Sequence, residues 1–468
     1  MKKNNYSSVL YKVLFKDEWY LEVLFFLWAF VVRFAFLAMS DNFMGKQPML
    51  NIITALHIFS QPALAGNISL QPLPFYLYSL AGAIALGKEQ IFSARFLSLI
   101  FGSLCVIPFY RLVRVLFDRK IAFYSTLLLC AYPAHVLASI LTLPDVFAGF
   151  FILWSLYFVV KRRIITAALM VLFAGGCSYA AWLCVPAMAM FIVGQEESEA
   201  RKAIQNAARF FLIAAIIPLL WSILIARKFG EYGLFYDNFF VQESLYVFTA
   251  VFTGTIKALM RQLFEQPMPL IFLLSLVGIF HSARVKQYYQ LIFVASALVI
   301  LIGLGIFRAD IPVAEEVTRL VSVLLVPYIV LGARVMLRLG SLREKRYMGL
   351  FIGLLILGLF SQTMYLRPFI PARVKQISTW LKKNSKDNDI ICLEKDEAGY
   401  YTSIIMLSSL PQGNFCPVPE GGGCRGIPGG TPAYLVMRMS SDEKDFTLND
   451  WKKVAMAGTY NIYSRQVR

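Results

Sequence analysis

From residue 20 to residue 366 the chain alternates long apolar runs with short charged ones. At a rise of 1.5 Å per residue, a helix needs about 20 residues to cross a hydrocarbon core of about 30 Å. Apolar runs bounded by charge fall at 20–39, 93–115, 121–141, 146–160, 164–177, 178–194, 208–226, 268–283, 289–307, 317–335 and 347–366. The stretch 164–194 holds no charged residue and is too long for one ordinary span. Gly175 and Gly176 at its middle divide it into two short helices. This pattern predicts an α-helical polytopic membrane protein with about eleven transmembrane helices. Two long segments intervene, 40–92 and 227–267. The apolar stretches of the first, around 48–65 and 72–87, and the aromatic second read as helices lying at the interface or folded back.

Beyond Arg367 the pattern changes. Pro368 and Pro371 break the last span. An amphipathic helix is predicted over 372–384, a strand over 390–393, a helix over 398–409 and a strand over 433–438. Thr447 reads as the N-cap of a helix over 448–455, and a final strand covers 459–464. The Pro- and Gly-rich stretch 411–432 is a long loop, of the kind that is either functional or disordered. The chain therefore divides into a membrane domain, 1–366, and a small α/β domain, 367–468.

Composition agrees. Apolar residues make up 58% of the 468, charged residues 16%, and the mean hydropathy is +0.62. A soluble globule carries about 25% charged residues, so that class is excluded, together with disordered chains and coiled coils. The net charge of +17 changes the picture only through its position. Up to Leu366 there are 31 basic and 18 acidic residues, and from Arg367 onward 14 and 10. With the N-terminus inside, the intended cytoplasmic segments hold 21 Lys and Arg against 8 in the opposite loops, which orients every loop consistently. The tail then lies outside the membrane, and the first apolar run reads as an anchor, with no small-residue cleavage site after it. The basic excess points to lipid headgroups and not to nucleic acid. Size and the lack of eukaryotic sorting signals suggest a bacterial inner membrane.

Candidate chemistry gathers where the spans meet the outer water. Asp41 directly follows the first span and Asp145 sits at the outer end of the third, in Leu143-Pro144-Asp145. Two carboxylates on one side of a bundle suit a base with a supporting acid, or a metal site; alone, each could cap a helix. Around them lie Gln71-Pro72-Leu73-Pro74, Ser93-Ala94-Arg95-Phe96 and Thr318-Arg319-Leu320. Arg33, inside the first span, is an intramembrane cation that needs a partner or a route to the interface. Snorkelling, a bundle contact and a purely structural role all fit it. His57, His135 and His281 are scattered and form no cluster in sequence. Cys105, Cys130, Cys177 and Cys184 fall in spans, while Cys392, Cys416 and Cys424 fall in the tail, where Cys416 with Cys424 would close the Gly-rich loop.

Taken in order, Asp41, the Gln71-Pro72-Leu73-Pro74 step, Ala94-Arg95-Phe96, the Phe117-Asp118-Arg119 turn, Pro144-Asp145 and Arg319 followed by Leu325-Val326-Pro327 resemble the GT-C integral-membrane glycosyltransferases. The likeness covers most of residues 10–366 and is greatest to the branch of protein O-mannosyltransferases and the lipid A aminoarabinose transferase. The chain departs from that pattern at Gln71, where His or Lys often precedes a Pro-Pro pair, and at Tyr179, where Lys is common. The resemblance implies transfer of a sugar from a polyprenyl-phosphate donor to a lipid, glycan or protein acceptor on the outer face. A phosphate leaving group lessens the need for a general acid, so one base is enough and inversion is expected, unlike glycoside hydrolysis with its two carboxylates. Asp41 is the expected base; an acid at Asp145 helps shape the site in the resembled branch, and by its chemistry it could orient Arg95, position the acceptor or join Asp41 on a divalent ion. Arg319, Arg95, Arg308 and Arg261 are the expected donor-phosphate contacts, with Gln71, Pro72 and Pro74 shaping the site. No cofactor is required; a divalent metal bridging the two carboxylates is the less favoured arrangement. A lipid or glycolipid transporter without covalent chemistry is the alternative, and would call for broken helices in two related halves. The Gly175-Gly176 break has no counterpart later in the chain. A noncatalytic scaffold would leave Asp41, Asp145 and Arg319 without a common role, and no Gly-rich phosphate loop suits a nucleotide-sugar enzyme.

Overall fold

The computed structural model describes residues 18–40, 73–87, 89–178, 180–195, 200–229, 372–385, 391–394, 415–418, 434–438, 451–457 and 460–465, with isolated positions in 48–56 and 330–361. These fall into two compact units. One draws on 1–39 and 57–367, the other on 40–56 and 368–468.

The first unit is helical: α1 (Glu18–Met39), α2 (Pro74–Leu86), α3 (Gln90–Leu104), α4 (Val106–Leu116), α5 (Arg119–Ala131), α6 (Pro133–Ile140), α7 (Pro144–Val160), α8 (Ile164–Gly175), α9 (Ala180–Gln195), α10 (Ala200–Ala214) and α11 (Ile216–Phe229). Among the described residues, three stretches are long and apolar enough to cross a membrane by themselves, Trp19–Met39, Gln90–Leu116 and Arg201–Trp221, and α2, α7 and α8 are apolar but shorter. The spans predicted up to residue 226 are thus found as helices. The run predicted as 121–141 is two helices, because Tyr132 is extended (φ −69°, ψ 119°) and Pro133 starts α6 without an amide hydrogen. The predicted spans over 268–307 lie outside the described residues, as do those over 317–366 except for a few positions.

Membrane helices are apolar all round, so burial is decided by neighbours and not by polarity. Along α1, Leu21, Phe25, Ala29, Val32 and Phe36 recur at helical spacing and are buried, while Leu24, Leu27, Trp28, Val31 and Phe34 on the other faces are exposed. Leu21, Phe25 and Ala29 of this row pack with Phe109, Tyr110, Leu128, Val146 and Leu153, in a core that Val330 and Leu359 join, while Val32 and Phe36 pack with Leu99, Val136 and Ile140. Polar ties fix the helices where packing alone is permissive. At one end, Arg111 on α4 grips Glu22 on α1 through two bonds of 2.7 and 2.6 Å and lies 5.3 Å from the ring centre of Trp154 on α7. Nearby, Ser155 Oγ of α7 donates to the Ala167 carbonyl of α8 at 2.8 Å. The predicted turn at Phe117-Asp118-Arg119 is an N-cap, with Asp118 Oδ1 accepting from the Ile121 amide at 2.8 Å.

The second unit contains α12 (Ala372–Asn384) and a five-stranded sheet. The strands are β1 (Ile391–Glu394), β2 (Phe415–Val418), β3 (Tyr434–Arg438), β4 (Trp451–Ala457) and β5 (Tyr460–Arg465), in the order β2-β1-β3-β5-β4. β1 runs parallel to β2 and β3, whereas β5 is antiparallel to β3 and β4. Ile377 and Leu381 of α12 are buried, as are Ile391, Val436 and Ile462 of the sheet. The Tyr434 hydroxyl closes the helix end by donating to the Asn384 carbonyl at 3.0 Å. The helix expected over 448–455 is instead largely β4: pairing with β5 overrides local helix preference, with an irregularity between Lys453 and Ala455. β2 likewise lies inside the stretch read as a loop, and its register sets Cys416 beside Cys392.

Candidate active site at the Asp145 end of the bundle

Chain order and cross-helix bonds bring the end of α1, the starts of α2, α3 and α7, and the ends of α6 and α8 to one end of the first unit. Pro74 occupies the first turn of α2, where its missing amide hydrogen costs nothing. The next amide, Phe75, donates to the Gly176 carbonyl at 3.0 Å, and the indole of Trp182 donates to the Gly175 carbonyl at 2.8 Å. Gly176 is in the right-handed region, so its value lies in close approach: a Cβ there would meet the Phe75 Cβ at 3.0 Å. The break between α8 and α9 expected from Gly175-Gly176 is therefore a docking point for the start of α2.

Asp145 stands in the first turn of α7, 9% exposed, where the amide ends of the helix favour a carboxylate. Arg95, on α3 and 2% exposed, donates from Nε to the Ile140 carbonyl at 2.9 Å. That carbonyl closes α6, and Leu141, Thr142 and Leu143 alone separate it from α7; Thr142 and Leu143 are buried. Arg95 and Asp145 thus belong to one buried seam made by α3, α6 and α7. At this seam α3 and α6 nearly touch, since a Cβ on Gly102 would collide with the Ser139 side chain and meet its Cα at 3.2 Å.

Arg33 is fully buried and its guanidinium is spread over the break between α5 and α6. Nε donates to Ser139 Oγ at 3.1 Å, Nη1 to the Ala29 carbonyl at 3.0 Å and towards the Cys130 carbonyl at 3.5 Å, and Nη2 to His135 Nδ1 at 2.8 Å. A guanidinium only donates, so His135 receives at Nδ1, and the neutral ring carries its proton on Nε2. Ser139 Oγ accepts from Arg33 and donates to the His135 carbonyl. The Arg33 alternatives left by sequence resolve to a bundle contact. His135 and Ser139 were missed because their partner lies 102 and 106 residues away; the one signal in the chain was a Pro133 inside an apolar run.

Asp41, Gln71, Pro72, Arg261, Arg308 and Arg319 lie outside the described residues. Among those described, no group of three or more His, Cys, Asp or Glu is placed to hold a metal ion.

The arrangement has known counterparts. The family model for dolichyl-phosphate-mannose-protein mannosyltransferase matches residues 70–221. ArnT from Cupriavidus metallidurans is similar over 94% of this chain and 97% of its own, at 13% identity and a TM-score of 0.61 when bound to undecaprenyl phosphate, and 14% and 0.63 in the apo state. The oligosaccharyltransferase AglB from Archaeoglobus fulgidus, in complex with an inhibitory peptide and a dolichol-phosphate, is similar over 91% of this chain and 70% of its own, at 14% identity and a TM-score of 0.54. No curated protein sequence matches. The chain has the fold of the GT-C integral-membrane glycosyltransferases. It is a multi-pass membrane protein of that architecture, with the mannosyltransferase match covering the helices that build the Asp145 seam.

Proposed function

We propose that this protein is an inverting glycosyltransferase that moves a sugar from a polyprenyl-phosphate donor to an acceptor at the outer face of a bacterial inner membrane. The observation that carries the reading is Asp145, a buried carboxylate in the first turn of α7, within a fold shared end to end with a structure holding undecaprenyl phosphate.

The acceptor hydroxyl or amine attacks the anomeric carbon from the face opposite the phosphate. The new C–O or C–N bond forms as the anomeric C–O bond breaks, its electron pair leaves with the polyprenyl phosphate, and the acceptor proton passes to the Asp41 carboxylate. Asp145 positions the acceptor beside that base. Arg319, Arg308 and Arg261 neutralise the departing phosphate. Arg95, whose Nε is committed to the Ile140 carbonyl, supports the phosphate side from the buried seam. Gln71, Pro72 and Pro74 shape the approach, Pro74 by starting α2. No metal takes part in the step as written. The tail and its Gly-rich loop select among lipid, glycan and protein acceptors.

Purified protein offered radiolabelled polyprenyl-phosphate sugars and extracted envelope acceptors tests this. Wild type transfers label, and Asp41→Asn lowers the rate by about 10²-fold or more, the usual size of a general-base contribution. Arg319→Ala raises the donor concentration needed. Absence of transfer over a broad panel, with lipid movement in Asp41→Asn liposomes equal to wild type, establishes the transporter instead.

A further inference from the structure

Helix α6 has only eight residues, Pro133–Ile140, and both of its ends are held by arginines from other helices. At its start, Pro133 has no amide hydrogen for the Leu129 carbonyl, which accepts from the Tyr132 amide at 3.3 Å instead, and Arg33 reaches the Cys130 carbonyl there. Freed backbone groups inside a membrane must be satisfied by neighbours. In the body of α6, Arg33 holds His135 and Ser139, one turn apart. At its end, Arg95 holds Ile140, the residue after Ser139. Beyond Ile140 the chain runs through three residues, with the Leu143 amide folded back on the Leu141 carbonyl at 3.0 Å, into the first turn of α7 and Asp145. A displacement of α6 along its axis therefore has no slack to absorb it before Asp145.

We propose that Arg33 is a positioning residue: with His135 and Ser139 it locks the register of α6 and so sets where Ile140 meets Arg95 and where Asp145 stands. The proposal deepens the transferase reading, on which the role of Asp145 rests. The cluster is built for orientation more than for neutralising charge. Four contacts from one planar fork fix direction as well as distance, and they go to one side chain on each of two turns of α6 and to backbone carbonyls of α1 and α5.

The test is hydrogen–deuterium exchange of full-length protein in nanodiscs, followed in peptides over 133–146 and 164–195, with thermal midpoints measured alongside. Arg33→Leu and His135→Leu are expected to speed exchange over 140–146 by about tenfold or more through local opening, leaving 164–195 as in wild type. His135→Asn, whose amide oxygen takes the place of Nδ1, is expected to keep wild-type protection; a space-filling role would favour Leu over Asn. The double variant Arg33→Leu/His135→Leu removes both polar partners and recovers the midpoint, as apolar replacement of a buried pair often does, yet leaves 140–146 unprotected. The proposal is overturned if the double variant restores protection as well, if Arg33→Leu leaves 140–146 unchanged, or if exchange rises equally over both regions. In the transfer assay, His135→Leu lowers kcat with KM for donor unchanged. Wild type that transfers no sugar counts against the transferase reading alone, because the exchange result does not depend on it.

Discussion

Two arginines show how context decides what a charge does. Each of the three guanidinium nitrogens of Arg33 has a partner inside the bundle, whereas Arg111 is 40% exposed on its side chain and meets Glu22 near water. Partly exposed pairs contribute about 1 kcal/mol or less. Glu22→Gln should therefore lower the thermal midpoint slightly and leave transfer at the wild-type rate, since the pair lies at the end of the bundle opposite Asp145; a loss of transfer would show that the two ends are coupled. Arg162 is a different case. It adopts φ 57° just after α7, with the Arg163 amide bonded to the Phe158 carbonyl at 2.8 Å and the Arg162 amide to Val159 at 2.9 Å. A left-handed residue with a side chain costs about 1–2 kcal/mol, so Arg162→Gly should raise the midpoint, and a fall would contradict that turn. That Asp145 marks the boundary of an apolar run was legible in the sequence, but the pattern places it at the end of the third span, whereas it stands in the first turn of α7. The partnership of His135 with Arg33 was not legible, because it depends on where a proline turns the chain and on which face of α1 the bundle buries.

At the scale of elements, the seam between α3 and α6 rests on one absent side chain. Gly102→Ala should cost about 1–3 kcal/mol through overpacking against Ser139, and should loosen Arg95 from Ile140 with it. Gly82→Ala in α2 meets nothing within 4 Å and should stabilise by up to about 1 kcal/mol through helix propensity. Thermal midpoints of the two variants check the pair of expectations, and shifts of the same sign would contradict the packing. The membrane helices up to residue 226 were legible because long apolar runs leave no alternative, and Gly175-Gly176 marked the α8 to α9 break. The tail was less so. In 448–455 the pattern fitted a helix, and the pairing of β4 with β5 that decided the matter lies in tertiary contact, not in local preference.

For the whole molecule, a fold shared with ArnT over nearly all of both chains joins a helical unit to a small sheet unit. The basic bias of the loops fixes its expected orientation. A reporter active only outside the cytoplasm, fused after Arg468, should be active, and a silent fusion would reverse the proposed sidedness and remove Asp145 from the donor-bearing face. The central claim is that a bond to the sugar is broken and remade. Incubating the purified protein with a polyprenyl-phosphate sugar labelled with carbon-13 at the anomeric position, in the presence of envelope acceptors, tests it by resonance. Conversion to a glycoside of inverted configuration, with free polyprenyl phosphate appearing in the phosphorus spectrum at the same rate, is the predicted result. Retention of configuration would refute the single displacement at Asp41, and a donor that crosses the membrane with its anomeric carbon unchanged would contradict the account altogether.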